Sequence, residues 1–228
     1  MENGYQTNLW NAYTNDLMQS GFCIRGIVTD NHSANVNAFK ILLNKHIGDN
    51  KHFFYAPGSQ NKTYIFSDTV HLLKNIRNNL FNTKKFVFPA FKFEVSGKLI
   101  SSDPGYIAWS DIHKIYDNDK KLEGNIRKAP KLTYSSLHPG NNNQNVDLAL
   151  AIFHESTIVA CKSYFPERSD VSSFLTLVSV WWTIANSRKQ YTPNALSNGI
   201  TTNDGKLNFY DNFADCVQDW AKISLTSA

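Results

Sequence analysis

The chain has 228 residues, 42% of them hydrophobic and 13% aromatic, and a net charge of +4. This apolar content excludes a disordered polypeptide, and no apolar run approaches the length of a membrane span. A charge of this size permits contact with nucleic acid without arguing for it, because Lys84-Lys85 and Lys120-Lys121 are ordinary surface pairs and not a basic run.

The length suits one large domain or two modest ones. The opening MENGYQTNLW lacks the charge and apolar core of a signal peptide. Cys23, Cys161 and Cys216 are odd in number and far apart. They are expected to be reduced, buried thiols of an intracellular protein, not a disulfide frame or a zinc site.

Residues 5–20 fit a helix with Leu9, Tyr13 and Leu17 on one face and Gly21 as its C-terminal cap. Phe22–Thr29 is a short apolar run between Gly21 and Asp30, expected as a buried strand. A helix carrying Val36, Phe39 and Leu43 should follow and end at Gly48, then a loop through Pro57-Gly58 and a strand over 63–67. The strand leads through Asp68 into a helix over 69–82. On it, His71, Lys74, Asn75 and Asn78 fall at i, i+3, i+4 and i+7 as a polar stripe, opposite an apolar face of Leu72, Leu73, Ile76 and Leu80. Strand, helix, strand in this order implies a parallel pair joined by a crossover.

Beyond residue 85 the pattern changes. FKFEVSGKLI alternates about Ser96-Gly97 as a small hairpin. Helical spacing then dominates, through Trp109/Ile112/Tyr116, Val146/Leu150/Phe153, Phe174/Leu177/Val178/Trp181/Ala185 and Tyr210/Phe213/Val217/Trp220/Ala221. Pro139–Asn145 is expected as an exposed connector. The predicted organisation is an α/β part over 1–87 and a mainly α-helical part over 88–228.

Asp68 is the carboxylate best placed for chemistry, since a strand end in an open α/β sheet is where sites form and a carboxylate there suits a divalent metal and a phosphodiester. His71, Lys74 and Asn75 could orient it or approach a phosphate; a solvated helix face reads equally well. Asp30 is read as an N-cap of the following helix, with Ser33 as rival. The chain contains no phosphate-binding Gly-x-x-x-x-Gly-Lys-Ser/Thr loop, no His-Glu-x-x-His and no Gly-x-Ser-x-Gly, which leaves the metal-carboxylate reading without a rival.

SDTVHLLKNIRNNL (67–80) resembles the Asp-x-x-His-Leu-Leu/Ile-Lys-x-Ile/Leu-Arg-Asn segment of P-element-type transposases and their THAP-containing vertebrate relatives. GIVTDNHSANVNAFKIL (26–42) is similar to the strand, Asp and Asn-bearing helix that precede it in that family. RKAPKLTYSSLHP (127–139) is similar to a Pro-Lys-Leu-Thr segment of the family's inserted nucleotide-binding domain.

The resemblance implies a partial RNase H-like core over 1–87, with its third and fourth strands, followed by a helical, GTP-binding-type insertion over 88–228. It implies a nuclear protein that cuts and joins transposon-end DNA using Mg²⁺ and three carboxylates, of which Asp68 takes the fourth-strand position. The other two carboxylates would lie outside this chain, which is therefore expected to be inactive alone. Asp30 falls at the end of the third strand, outside the triad. For the nucleotide the resemblance implies Lys131 as a point charge on phosphate, Trp182 stacking on a base, and Asn186 closing the site. Thr183 stands where the family has an acidic residue, and a hydroxyl cannot reproduce the two-point contact of a carboxylate with guanine. A solvated Lys131 and a core role for Trp181 are the competing readings. A homo-oligomer is left open, as is a domesticated, non-enzymatic module that binds nucleotide or protein.

Overall fold

The computed structural model describes residues 2–30, 32–44, 53–55, 60–122, 126–187, 189–201 and 204–226. The expected helix end at Gly48 and the Pro57-Gly58 loop lie outside the described residues. The chain divides into two compact units, Met1–Leu72 and Leu73–Ala228.

The first unit is helix α1 (Glu2–Gln19), strand β1 (Gly26–Thr29), helix α2 (Ser33–Asn44), strands β2 (Phe53–Tyr55) and β3 (Lys62–Ser67), and the first turn of helix α3 (Thr69–Thr83). The strands form one sheet in the order β1-β3-β2. β1 and β3 are parallel, in register from Gly26↔Tyr64 to Thr29↔Ser67, as the strand-helix-strand order implied. β2 pairs antiparallel with β3 and was not foreseen, because a Phe-Phe-Tyr run of three residues carries too little periodicity. One face of the sheet packs on the helices: Ile27 and Phe54 meet Phe39 and Leu42, with Trp10, Met18 and Ile65 around them.

Two expectations need correction here. The inner face of α1 is Trp10, Thr14 and Met18, while Tyr13 and Leu17 are exposed. The two stripes lie one residue apart, a rotation of about 100° on a helix, and the larger Trp10 and Met18 take the core. The strand is also shorter than Phe22–Thr29: Phe22 is exposed, and within β1 only Ile27 is buried while Val28 faces out. The α1 terminus is as expected. Gly21 has φ +87°, its N–H donates to the Met18 carbonyl at 2.9 Å, and the Phe22 N–H donates to the Leu17 carbonyl at 3.0 Å. That pairing closes a helix on a left-handed residue, where glycine carries no steric cost.

The second unit contains two antiparallel pairs. β5 (Phe91–Val95) and β6 (Lys98–Ser102) form the expected hairpin, and β4 (Lys85–Phe88) pairs with β7 (Gly105–Ala108). The hairpin turn places Ser96 at φ 49° and Gly97 at φ 73°, the geometry that matches strand twist in a two-residue turn. Phe91, Phe93 and Val95 point inward and Lys92 and Glu94 outward. The helices are α4 (Trp109–Lys120), α5 (Tyr134–Leu137), α6 (Val146–Ile152), α7 (Glu155–Tyr164), α8 (Ser169–Ala185) and α9 (Lys206–Thr226). An aromatic seam joins them to the strands. Phe88 stacks on Phe174 at 5.3 Å, Phe93 meets Phe209 at 5.5 Å, and Trp181 stacks on Phe213 at 6.5 Å. Trp181 is therefore core. Pro139–Asn145 is tied down: Gly140–Asn142 forms a 3₁₀ turn, the Asn143 carbonyl accepts from Arg77 Nη2 at 2.8 Å, and the Asn145 side chain caps α6.

Cys161 is buried and Cys216 half-buried, but Cys23 is exposed; all three thiols are free. Burial pushes the Cys161 thiol up to about 12, which keeps it protonated and inert.

Candidate functional site

β1 and β3 run side by side in the same direction, so the residues that follow them, Asp30 and Asp68, leave the same edge of the sheet. The ladder continues one step further, with the Asp68 N–H donating to the Thr29 carbonyl at 2.7 Å. The parallel crossover thus brings together two carboxylates 38 positions apart in sequence. Geometry gives Asp30 the same standing as Asp68 at this edge.

Asp68 is half-buried. Its Oδ1 accepts from the Val70 N–H at 2.9 Å, which caps α3, and its Oδ2 lies 2.7 Å from His71 Nδ1. An acidic group at a helix N-terminus is favoured by the unpaired N–H groups there. Asp30 Oδ1 accepts from the His32 N–H at 3.1 Å and from Asn35 Nδ2 at 2.8 Å. The His32 N–H holds the Asp30 carboxyl below its ordinary value, with the Asn35 amide next and smaller contributions from His71 and His32; slight desolvation opposes them. Asp30 is therefore ionised at any ordinary pH. It does not cap α2 itself, and neither does Ser33. The cap position belongs to His32, whose ring Nδ1 accepts from the Ala34 N–H at 3.3 Å.

The polar stripe of α3 is only partly realised. Asn75 is exposed and His71 and Asn78 half-buried, but Lys74 is 7% exposed and belongs to the buried side with Leu73, Arg77 and Leu80. Leu72 and Ile76, expected inside, are half-buried. The helix is rotated from the expected phase because Arg77, not Ile76, occupies the inner position. No periodicity argument that classes Arg as polar would place it there.

Two hard carboxylates at neighbouring strand ends, beside an imidazole and an amide, match the preference of Mg²⁺ for one or two carboxylates plus waters and phosphate oxygens. A pair of metals about 4 Å apart needs more carboxylates than this. Among the described residues no three His, Cys, Asp or Glu side chains are grouped to hold a metal.

The segment around Lys131 is organised by a residue that sequence reasoning passed over. Asp119, fully buried at the end of α4, accepts from Arg127 Nε at 3.0 Å, the Lys128 N–H at 2.7 Å, the Ala129 N–H at 3.2 Å and the Tyr164 hydroxyl at 2.7 Å. Burial pushes its carboxyl up, but these donors together outweigh burial and hold it below the ordinary value. Arg127 Nη2 also donates to the Leu132 carbonyl at 2.8 Å. Lys131 stands exposed on the turn this network holds.

At the far end of α8, Trp182 and Thr183 are half-buried, and the Thr183 hydroxyl donates to the Ser179 carbonyl at 2.8 Å. Asn186 is the C-terminal cap. A hollow of about 430 Å³ opens here, with Ala185, Ser187, Lys189 and Tyr210 among its walls; Lys131, Trp182, Thr183 and Asn186 do not line it. A second ionic cluster joins Arg168 to Asp111 at 2.9 Å and to Asp170 at 3.0 Å. Asp111, Arg168 and Cys161 border a cavity of about 310 Å³.

No family model matches the chain, and no curated protein matches it. Among solved structures it is similar to the Drosophila P element transposase strand transfer complex, with a TM-score of 0.63 over 79% of this chain and 38% of that one, at 21% identity. The two share a fold. The chain spans well under half the length of the transposase chain it matches.

Among the described residues no helix is long and apolar enough to cross a membrane.

Proposed function

We propose that this chain is a segment of a P-element-like cut-and-paste DNA transposase, carrying part of an RNase H-like core and most of a helical, nucleotide-binding-type insertion. The observation that supports this most is the placement of Asp30 and Asp68 at one edge of a parallel strand pair, in a fold shared with a P element transposase. In the complete protein Asp68, with Asp30 beside it, would hold Mg²⁺. The ion would supply an activated water or 3′-hydroxyl and stabilise the leaving oxygen on transposon-end DNA in the nucleus. His71 orients Asp68 through their 2.7 Å contact. With this pair as the only carboxylates at the edge among the described residues, the chain alone should neither cut nor join DNA with Mg²⁺ or Mn²⁺. Robust metal-dependent cleavage that disappears in Asp68→Ala would overturn the inactive-segment reading. In the complete protein, loss of strand transfer in both Asp30→Asn and Asp68→Asn is expected; wild-type activity in both would remove the transposase site.

A second reading is a domesticated, non-enzymatic module. It draws on Asp68 being engaged by its own helix and on Thr183 donating its hydroxyl to the backbone, where a guanine-reading carboxylate would otherwise stand. Titrating GTP, GDP and ATP calorimetrically into the full chain separates the two. Guanine-selective binding weakened by Lys131→Ala supports the ancestral nucleotide site. Absence of binding favours a packing or protein-binding role.

A further inference from the structure

The buried and half-buried cations of the second unit are matched by carboxylates, except on α3. Arg127 meets Asp119 at 3.0 Å, Arg168 meets Asp111 at 2.9 Å and Lys206 meets Asp204 at 3.3 Å. Lys74 and Arg77, 7% and 0% exposed, stand one turn apart on the buried side of α3, and no carboxylate among the described residues pairs with either. Local sequence explains this. α3 contains no acidic residue, and neither does the 139–145 segment that meets Arg77. Asp147, the next carboxylate along that segment, is exposed in the first turn of α6.

The acceptor that Arg77 does have is neutral. Nη2 donates to the Asn143 carbonyl at 2.8 Å, and Asn78 Nδ2 donates to the same oxygen at 3.4 Å. Nε and Nη1 are buried with no acceptor among the described residues. A guanidinium keeps its charge at any ordinary pH, so a buried one with a single neutral acceptor is an uncompensated charge. What covers it is not core: Asn141–Asn145 is exposed throughout.

We propose that Arg77, Lys74 and Asn78 bind a phosphate group, which takes the place of the Asn143 carbonyl when the exposed 141–145 turn moves aside. The phosphate accepts from Nη2 and Nε of Arg77 together, the planar fork that suits arginine to this anion. Lys74 supplies the second positive charge and the Asn78 amide a further donor. The exchange replaces one neutral acceptor by an anion that pairs both cations. Free inorganic phosphate and a nucleic-acid backbone offer the same chemistry here. The inference uses neither Asp30 nor Asp68 and is independent of any catalytic role.

The test uses the full chain and two probes: inorganic phosphate, titrated calorimetrically at constant ionic strength, and a labelled duplex oligonucleotide, followed by anisotropy. At least one should bind saturably, and Arg77→Met and Lys74→Met should each weaken that binding at least about tenfold. Arg77→Lys keeps the charge without the fork and should fall between wild type and Arg77→Met. Lys98→Met, which removes an exposed cation on the hairpin, should change nothing. Circular dichroism checks that the variants stay folded. The two probes separate the sources. Duplex binding that depends on Arg77 and is displaced by phosphate assigns the site to a nucleic-acid backbone; phosphate binding that depends on Arg77, with duplex binding indifferent to it, assigns it to the free anion. If binding of neither probe depends on Arg77, or if Lys98→Met weakens it as much as Arg77→Met, the proposal is overturned.

Discussion

The two units treat carboxylates differently. In the first, Asp30 and Asp68 sit at strand ends, open to solvent or half-open, and among the described residues their oxygens accept from groups two to five positions ahead. In the second, Asp119 and Asp111 are buried and tied to partners far along the chain, Tyr164 at a separation of 45 and Arg168 at 57. A carboxylate held by its own loop can accept a new ligand at little cost to the fold. One that gathers distant segments in a low-dielectric interior cannot be disturbed without leaving buried donors unpaired. Position at the sheet edge and ease of disturbance both support the proposed use of Asp30 and Asp68 for chemistry, while Asp119 serves architecture.

The largest effect is expected at Asp119. Asp119→Asn should cost about 3 kcal/mol of stability at neutral pH, measured by urea unfolding, because Arg127 and two backbone N–H groups lose a charged acceptor. A cost below about 1 kcal/mol would erase the contrast between the units. Since the folded-state value of this carboxyl lies below 3.8, its contribution is present above that pH and is lost as the pH falls through the depressed value. The gap between wild type and Asp119→Asn should therefore close in acid and stay constant from pH 5 to pH 8, the range above both values.

A change of opposite sign is expected at Arg77. Its guanidinium is fully buried, with Nε and Nη1 lacking a hydrogen-bond partner among the described residues, and desolvation holds its pKa below the usual value. Arg77→Met should leave the protein as stable or up to about 2 kcal/mol more stable, since an apolar side chain of similar length removes the unpaired donors. A large loss would mean that the contact with the Asn143 carbonyl matters more than the unpaired donors, and would sharpen the role of the 140–145 segment.

At the sheet edge the effects shrink. Asp68→Ala should cost about 1 kcal/mol, the typical value of a helix N-cap, and Asp68→Asn less, because an amide oxygen can still accept from the Val70 N–H. Asp30→Asn should change stability by less than about 0.5 kcal/mol, as for an exposed residue away from the core. Thermal unfolding of the three variants checks the order. A collapse at Asp68 comparable to that at Asp119 would turn the proposed site into a structural one.

Legibility followed the range of the interactions. The α1 terminus at Gly21, the Ser96-Gly97 hairpin and the helical spacing of α8 were all readable because each is set by neighbours a few residues apart. Asp68 and its helix were readable for the same reason. The phases of α1 and α3 were not. α1 carries adjacent stripes of similar apolar content, and competition for core volume selects Trp10 over Leu9; the buried side of α3 includes Lys74 and Arg77, which apolar periodicity does not place inside. Asp119 left no local signal, because its hydroxyl partner arrives from α7.

The sequence by itself determined the local chemistry: which carboxylate ends a strand, where α1 stops, and where the Ser96-Gly97 hairpin turns. Only the tertiary structure decided that Asp30 stands beside Asp68 and that Asp119 is the hub of the Lys131 segment. Side-chain identity and short-range spacing are written in the chain, but which surfaces meet depends on how whole elements share a limited core.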